Sequence, residues 1–351
     1  MLPNAFWRGF GSPTMLEALE QALPSPQPDR IAVALSGGAD SAMLAAHAAL
    51  AARKRGFVVH CLHVHHGLQD RADGWRDHAH DLALRLGLPC HTRRVCVTQA
   101  RDLGMEAAAR DARYQALAAL AREIKVAHIL LAHHRNDQSE TVLLRLLRGA
   151  GPEGLAAMAP RMQRDGIAYL RPWLDIDRTM ILEQAAAFTT ISGWSPVHDP
   201  TNADDKYTRA AVRERLAPVL DERWPGWRGV LTRLARQSAD TRAVLGEVAA
   251  ADFAGLAPSP DGRSFSLAAW RQLSMARQAL VLRYWLAQSG LRMPSDARLQ
   301  DLMRQLRQLH ALGHDRQMRV KHGADFILCA RGRVYLAEER GSEYGALNAE
   351  G

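Results

Sequence analysis

A short apolar run, Ile31 to Leu35, stops abruptly at Ser36-Gly37-Gly38, and an Ala/Leu-rich segment then runs from Asp40-Ser41 through Met43 and Leu44 to Ala52. This pattern reads as a buried parallel strand, a glycine turn and a helix. A parallel strand needs crossover connections and cover on both faces, so the segment already restricts the chain to α/β architectures. The two glycines let backbone amides approach a ligand without a Cβ in the way. The helix start behind them adds unpaired N–H groups and partial positive charge, and such a nest suits phosphate.

The alternation continues downstream. Strand candidates are Ile31–Leu35, Val58–His63, Cys90–Val97, His128–Ala132 and a fifth around Ile167–Leu170, separated by helical stretches at Ser41–Arg55, Gly74–Leu86, Glu106–Ile124 and Gln138–Arg148. The expected fold is a doubly wound parallel sheet of about five strands, with ligands outside the strand carboxyl ends. Residues 1–28 carry little pattern and end in the proline-rich Pro24–Pro28. The pattern changes near Asp221–Trp227, where a helical linker spans 221–255 and leads to a Pro/Gly-rich turn at Leu256–Gly262. A smaller α+β domain over 256–340 follows, with helices at Leu267–Gln288 and Ser295–Leu309 and strands near Met318–Lys321 and Phe326–Arg331. The main domain is then 29–220, and 341–351 reads as a flexible tail.

Composition narrows the partners. Of 45 basic residues only Lys54, Lys125, Lys206 and Lys321 are lysines, and the net charge is +8. Arginine grips phosphate bidentately and stacks on bases, so a polyanionic partner is expected; a GC-rich genome would also enrich arginine. Cys61, Cys90, Cys96 and Cys329 form no C-x-x-C pair and read as reduced thiols. No signal peptide is evident at Met1–Phe10, and the longest nearly apolar segment, Ala42–Ala52, is far too short to span a membrane. A cytoplasmic location without membrane attachment is expected.

Four further clusters carry polar chemistry. His133-His134-Arg135-Asn136-Asp137-Gln138-Ser139-Glu140-Thr141 follows a strand and opens a helix, with Asp137 as the expected N-cap. Glu106 and Arg110 stand i, i+4 on one helix face continued by Arg113 and Tyr114, a spacing common in ordinary helices. His63, His65 and His66 lack a carboxylate or cysteine in metal-type spacing. Asp199, Asn202, Asp204 and Asp205 precede Arg209 and Arg213; they fit either a capped helix or arginines that neutralise phosphate.

No Gly-x-x-x-x-Gly-Lys-Ser/Thr occurs, and Ser36-Gly37-Gly38-Ala39-Asp40-Ser41 resembles instead the pyrophosphate loop of the ATP-pyrophosphatase (PP-loop) superfamily. In order along residues 28–340, that loop, His63–Leu68, Glu106–Tyr114, His133–Thr141, Leu146–Gly149, Gly154–Met158, Arg171-Pro172 and Asp199–Arg213 resemble the tRNA(Ile)-lysidine synthase family. The resemblance implies that ATP adenylates O2 of the wobble cytidine in the CAU anticodon of an isoleucine tRNA, after which L-lysine displaces AMP. It assigns Ser36, Gly37, Gly38, Ala39, Asp40 and Ser41 to the pyrophosphate, Asp40 and Asp137 to Mg²⁺, and Asp40, Asp137 and Arg209 to catalysis. Asp137 and Glu140 fall to the lysine, with His133, Arg113 and Arg213 as further candidates. No protein partner is required, and a homodimer is left open.

Two departures from the family pattern stand out. Asn136 replaces the first Asp of Asp-Asp-Gln, and Ala210 replaces an Asn. The residues after Ala337 leave no room for the further C-terminal domain of many relatives. Competing readings are a PP-loop tRNA thiolase, which would need paired or persulfide-carrying cysteines, an amidotransferase-type synthetase, for which no glutaminase domain precedes the loop, and an inactive tRNA-binding relative.

Overall fold

The computed structural model describes residues 1–65, 72–95, 105–197, 206, 208–309 and 318–338. Contacts divide the chain into two units, Met1–Ala239 and Asp240–Gly351. The first contains α1 (Asn4–Gly9), α2 (Pro13–Ala22), β1 (Arg30–Ala34), α3 (Ala39–Arg55), β2 (Val58–His65), α4 (Ala72–Leu86), β3 (Cys90–Arg94) and α5 (Met105–Glu123). It continues with β4 (His128–Leu130), α6 (Arg135–Leu147), α7 (Pro152–Leu155), β5 (Arg161–Arg164), β6 (Ile167–Leu170) and α8 (Arg178–Ser192). Next come α9 (Thr208–Ala211), a π-helical turn at Val212–Leu216, α10 (Ala217–Arg223) and α11 (Trp227–Gly255), the last crossing into the second unit.

The sheet order is β3-β2-β1-β4-β6-β5, with all neighbours parallel except the edge pair β5–β6. The chain winds one way from β1 to β3 and the other way from β4, so the switch point lies between β1 and β4, where open α/β sheets bind ligands. The sixth strand departs from the expected five. Arg164 pairs with Ile167 across Asp165 and Gly166, whose φ values of 54° and 78° make a two-residue hairpin turn. Asp-Gly is a strong hairpin signal, here masked by the short polar strand Arg161–Arg164.

Helix α3 explains its own unstriped sequence. Ser41 to Ala51 are all buried, because the helix is enclosed by the sheet on one side and by α2 and α8 on the other. The stretch before residue 29 is not patternless in space. Phe6, Trp7, Phe10, Met15 and Leu19 join the same core as α3 and Phe188, and Trp173 Nε1 donates to the Met15 carbonyl at 3.1 Å. On the opposite face α5 packs Tyr114, Leu117 and Ala121 against Ile129 and Tyr169.

The second unit has an antiparallel sheet ordered β7 (Ser264–Ser266), β10 (Arg333–Glu338), β9 (Asp325–Ala330), β8 (Met318–His322). Its helices are α12 (Leu267–Gln272), α13 (Met275–Gln288) and α14 (Asp296–Gln308), packed around Trp270, Trp285 and Phe265. Two strands, β7 and β10, are additional to those expected. The single helix expected over Leu267–Gln288 is broken at Leu273-Ser274, where Gln278 Nε2 donates to the Arg271 and Leu273 carbonyls at 3.3 and 2.9 Å. That side chain satisfies carbonyls that a continuous helix would have paired internally. The tail from residue 341, Cys96, His66, the acidic stretch Asp199–Asp205 and the Glu106 side chain lie outside the described residues.

His47 ties α2 to α3. Its Nδ1 donates to the Met43 carbonyl at 2.8 Å, which leaves Nε2 to accept from the Ser12 N–H at 3.1 Å. A neutral ring is thus fully satisfied, and burial pushes its pKa from 6.5 down to about 4. The unfolded chain takes up a proton that the folded ring refuses, so stability falls as pH drops from 6.5 towards 4. The loss approaches about 3 kcal/mol at the lower limit. Urea titrations at pH 7 and pH 4.5 check this: His47→Gln is expected to be less stable at pH 7 yet to lose less on acidification. An equal loss in both proteins would remove His47 as its source.

Candidate active site

Ser36 follows β1, and its loop is held by its own hydroxyls. Ser41 Oγ donates to the Gly38 carbonyl at 3.2 Å and accepts from the Ser36 N–H at 3.1 Å, so at 2.9 Å the Ser36 hydroxyl donates to it. The Gly37 carbonyl accepts from the Val197 N–H at 3.0 Å. Gly38 caps α3 without a side chain, leaving the amides of Ala39, Asp40 and Ser41 at the helix start without a side-chain acceptor.

The two glycines serve different ends. Gly37 has φ +91°, a conformation that costs other residues about 1–2 kcal/mol. Gly38 has an ordinary φ of −75°, and a Cβ there would meet only Ser36 Oγ at 3.7 Å. Among the described residues nothing demands glycine at 38; the close approach of a ligand would.

The segment after β4 supplies the facing wall. His134, not Asp137, is the N-cap of α6. Its Nδ1 accepts from the Asp137 N–H at 3.4 Å, and Asp137 Oδ2 accepts from the His134 N–H at 3.2 Å. This capping box commits the ring proton to Nε2, which faces Asp137 Oδ2 at 3.4 Å and Asp40 Oδ2 at 3.7 Å. Burial opposes ionisation of Asp40, but His134 and Arg178 outweigh it and hold the carboxyl below its usual value. Asp40 Oδ1 is buried without a hydrogen bond, with Arg178 Nε 3.6 Å away.

Asn136 turns away from this group. Its Oδ1 accepts from the Arg178 N–H at 3.4 Å at the start of α8, whose own cap residue Asp177 is drawn to Arg135 at 2.5 Å. Ala210 is buried and offers no polar atom.

The continuous helix formed by α9, the π-helical turn and α10 brings two arginines to α6. Arg209 donates to Thr141 Oγ1 at 3.2 Å, and Arg213 makes a two-point contact with buried Glu140 at 3.0 and 2.9 Å. Burial opposes protonation of Arg213, but the Glu140 carboxylate more than offsets it and raises its pKa. Glu140 is therefore already charge-compensated, whereas Asp137 keeps an oxygen outside the capping box.

His133 lies near Arg113 of α5 and Arg171 after β6. Burial, then Arg171, Arg113, Arg110 and Arg209, hold it neutral well below its ordinary pKa. The site thus gathers Ser36–Ser41, Asp40, Asp137, Glu140, Arg209 and Arg213 at the carboxyl ends of β1 and β4, with His133 and Arg113 on the α5 side. Sequence reasoning missed His134 and Arg178. The signal for His134 was a histidine three residues before an Asp at a helix start.

His63 and His65, at the end of β2, are occupied. His63 Nδ1 donates to the Leu35 carbonyl at 2.9 Å, and His65 Nε2 lies 3.2 Å from Asp73. The structure also brings Cys61 and Cys90 side by side on β2 and β3, away from the carboxyl ends of the sheet. Burial pushes both thiols up, Cys90 to about 12, so neither is a nucleophile at neutral pH.

Gly38→Ala is expected to melt within about a degree of wild type while weakening ATP binding about tenfold or more, since a hydrogen bond to a charged group is worth roughly 1.5–3 kcal/mol. Calorimetry and titration with ATP check both. Unchanged affinity would mean that no phosphate approaches the Gly38 amide.

Comparisons with known proteins agree with this geometry. Residues 12–220 match the PP-loop domain family, and residues 265–335 match the TilS substrate binding domain. The tRNA(Ile)-lysidine synthase of Bordetella pertussis is 60% identical over 89% of this chain and 97% of its own length. That of Ralstonia nicotianae is 44% identical over 79% of this chain and 58% of its own. The U34-tRNA thiolase NcsA from Methanococcus maripaludis with its [4Fe-4S] cluster aligns with a TM-score of 0.52 at 13% identity, over 64% of this chain and 76% of that one, a likeness of fold alone. With a pyrophosphate-type loop at the switch point and 60% identity over nearly the full length of the Bordetella pertussis protein, the chain belongs to the tRNA(Ile)-lysidine synthase family.

Proposed function

We propose that this protein is an ATP-dependent carbon–nitrogen ligase that joins L-lysine to C2 of the wobble cytidine of an isoleucine tRNA with a CAU anticodon. The observation that carries the reading is the sharing of one crevice by the phosphate nest at Ser36–Ser41 and the carboxylates on α6, in a chain 60% identical to proteins of that name. Cytidine O2 attacks the α-phosphorus of ATP and pyrophosphate leaves. The lysine ε-amine then attacks C2, the C2–O bond breaks and AMP departs, so that the modified base pairs with A instead of G. The cytidine must unstack to be reached, as anticodon-loop bases readily do.

The chain's own residues divide this work. Ser36 and Ser41 exchange their mutual hydrogen bonds for pyrophosphate oxygens, joined by the amides of Gly38, Ala39 and Asp40. Asp40 and Asp137 fit Mg²⁺: Asp40 Oδ1 is buried without a hydrogen bond, and Mg²⁺ is commonly held by one or two carboxylates, with phosphate and water completing its shell. Bound there, Mg²⁺ would offset charge developing on the leaving group. Asp137 offers the less encumbered carboxylate to the lysine ammonium and is the nearest acceptor for its proton. Arg209 and Arg213 lie beside α6 to stabilise the adenylyl group. Movement of Arg213 from Glu140 to that phosphate frees Glu140 as the second carboxylate for lysine, which couples the two steps. No protein partner is needed, and a cytoplasmic setting suits a tRNA substrate.

A thiolase reading has little support among the described cysteines, since Cys61 is buried, Cys90 is half-buried, and both lie away from the crevice. The test is incubation with ATP, labelled lysine and unmodified tRNA. Lysine-dependent label with AMP release is expected with the CAU isoleucine tRNA; label that requires a thiol donor would overturn the proposal. Asp40→Asn is expected to lose pyrophosphate release by a factor of about 100 or more while tRNA binding stays within about twofold. Undiminished release in this variant would remove Asp40 from the chemistry.

A further inference from the structure

The end of β4 separates two charge environments. His134 turns towards Asp40 and Asp137, whereas His133 lies within the field of Arg171, Arg113, Arg110 and Arg209. Among the described residues none of these four arginines has a carboxylate within salt-bridge distance. Of the described acids, Asp111 pairs with Arg164 and Glu140 with Arg213. Arg171 is only 3% exposed. One of its terminal nitrogens donates to the Ala159 carbonyl at 2.7 Å and the other to Tyr114 Oη at 3.4 Å. The Arg110 and Arg113 guanidinium carbons lie 5.4 and 5.9 Å from the Tyr114 ring centroid.

Clustered guanidinium groups repel one another, and burial makes the repulsion larger. Buried polar atoms are usually hydrogen-bonded. Among the described residues, Arg171 Nε and His133 Nδ1 are both buried with no hydrogen-bond partner. Both unused polar atoms belong to side chains that converge on the same basic cluster, so an oxyanion ligand would satisfy them and offset the repulsion.

We propose that Arg110, Arg113 and Arg171, with His133, form a second oxyanion site for a phosphate ester, separate from the Ser36–Ser41 nest. The inference rests on the reading of this chain as a tRNA-modifying ligase and identifies where its RNA is held. Two phosphates share this chemistry, the α-phosphate of the nucleotide and a backbone phosphodiester beside the target cytidine. The RNA phosphate is favoured by placement. The nest is at the start of α3 on one face of the sheet, while Arg110 and Arg113 come from α5 on the other. The nucleotide already has its anion ligands on the α3 side, and the unstacked cytidine needs a handle on its backbone.

Binding measurements on the full chain test this without turnover. Dissociation constants for unmodified tRNA with the CAU anticodon are measured over 50–300 mM KCl, and for ATP alone, with Arg110→Gln and Arg171→Gln beside wild type. The expected result is tRNA binding weakened about tenfold, a salt slope smaller by about 0.7–1, and ATP affinity within about twofold of wild type. Weakened ATP binding with tRNA unaffected would uphold the oxyanion site and assign it to the nucleotide. Variants that bind both ligands as wild type does, with the same salt slope, would overturn it. Arg110 is exposed and its replacement spares the fold, so Arg110→Gln decides the matter should Arg171→Gln fail to fold. Failure of the underlying reading is distinguishable, because wild type, whether or not it bound the tRNA, would then transfer no labelled lysine to it in the presence of ATP.

Discussion

The capping box at the start of α6 sets the electrostatics of the crevice. By accepting the Asp137 N–H at Nδ1, His134 commits its proton to Nε2 and presents that donor to Asp137 and Asp40. The side chain that ends the helix's exposed backbone thus also holds two carboxylates from different elements within reach of each other. The preceding His133 instead lies in the field of Arg171, Arg113, Arg110 and Arg209. One short turn therefore separates a carboxylate wall from a guanidinium wall, and both look onto the carboxyl ends of β1 and β4.

The phosphate nest is preorganised in the opposite sense, by bonds that a ligand must replace. Ser36, Gly38 and Ser41 close on one another through 2.9–3.4 Å contacts, which keep the loop open at the helix start. Placing this nest beside the α6 carboxylates is the work of sheet order. Strands β1 and β4 are neighbours although they are separated by about a hundred residues of chain, so the first and fourth strand ends meet at the switch point. The helix from Thr208 to Arg223 then delivers Arg209 and Arg213 to Thr141 and Glu140 from a segment remote in sequence.

Much of this was legible beforehand where local pattern and burial coincide. The loop at Ser36, the long α3 and the five principal strands carry periodicity or glycine signals that depend on near neighbours. Other elements escaped for identifiable reasons. Helix α1 has no clean apolar stripe, because aromatic residues on several of its sides are taken up by one another and by Phe188. The β5–β6 hairpin hid behind a polar edge strand, and the break at Leu273 depends on Gln278 reaching back to two carbonyls. Asp137 was read as a cap from its residue type, although the neighbouring histidine performs that task.

Residue order alone settled that a buried strand must turn through Ser-Gly-Gly into a helix, because glycine backbone freedom and hydrophobic periodicity act over a few residues. It also settled that the chain is rich in arginine and that acids cluster after the fourth strand. The tertiary structure decided which of those charges meet. Glu140 is matched with Arg213, Asn136 is diverted to the start of α8, and Arg171 is left with an unsatisfied nitrogen. Such pairings depend on distances between elements far apart in the chain, and electrostatic interaction depends on distance and burial, neither of which is written in local sequence.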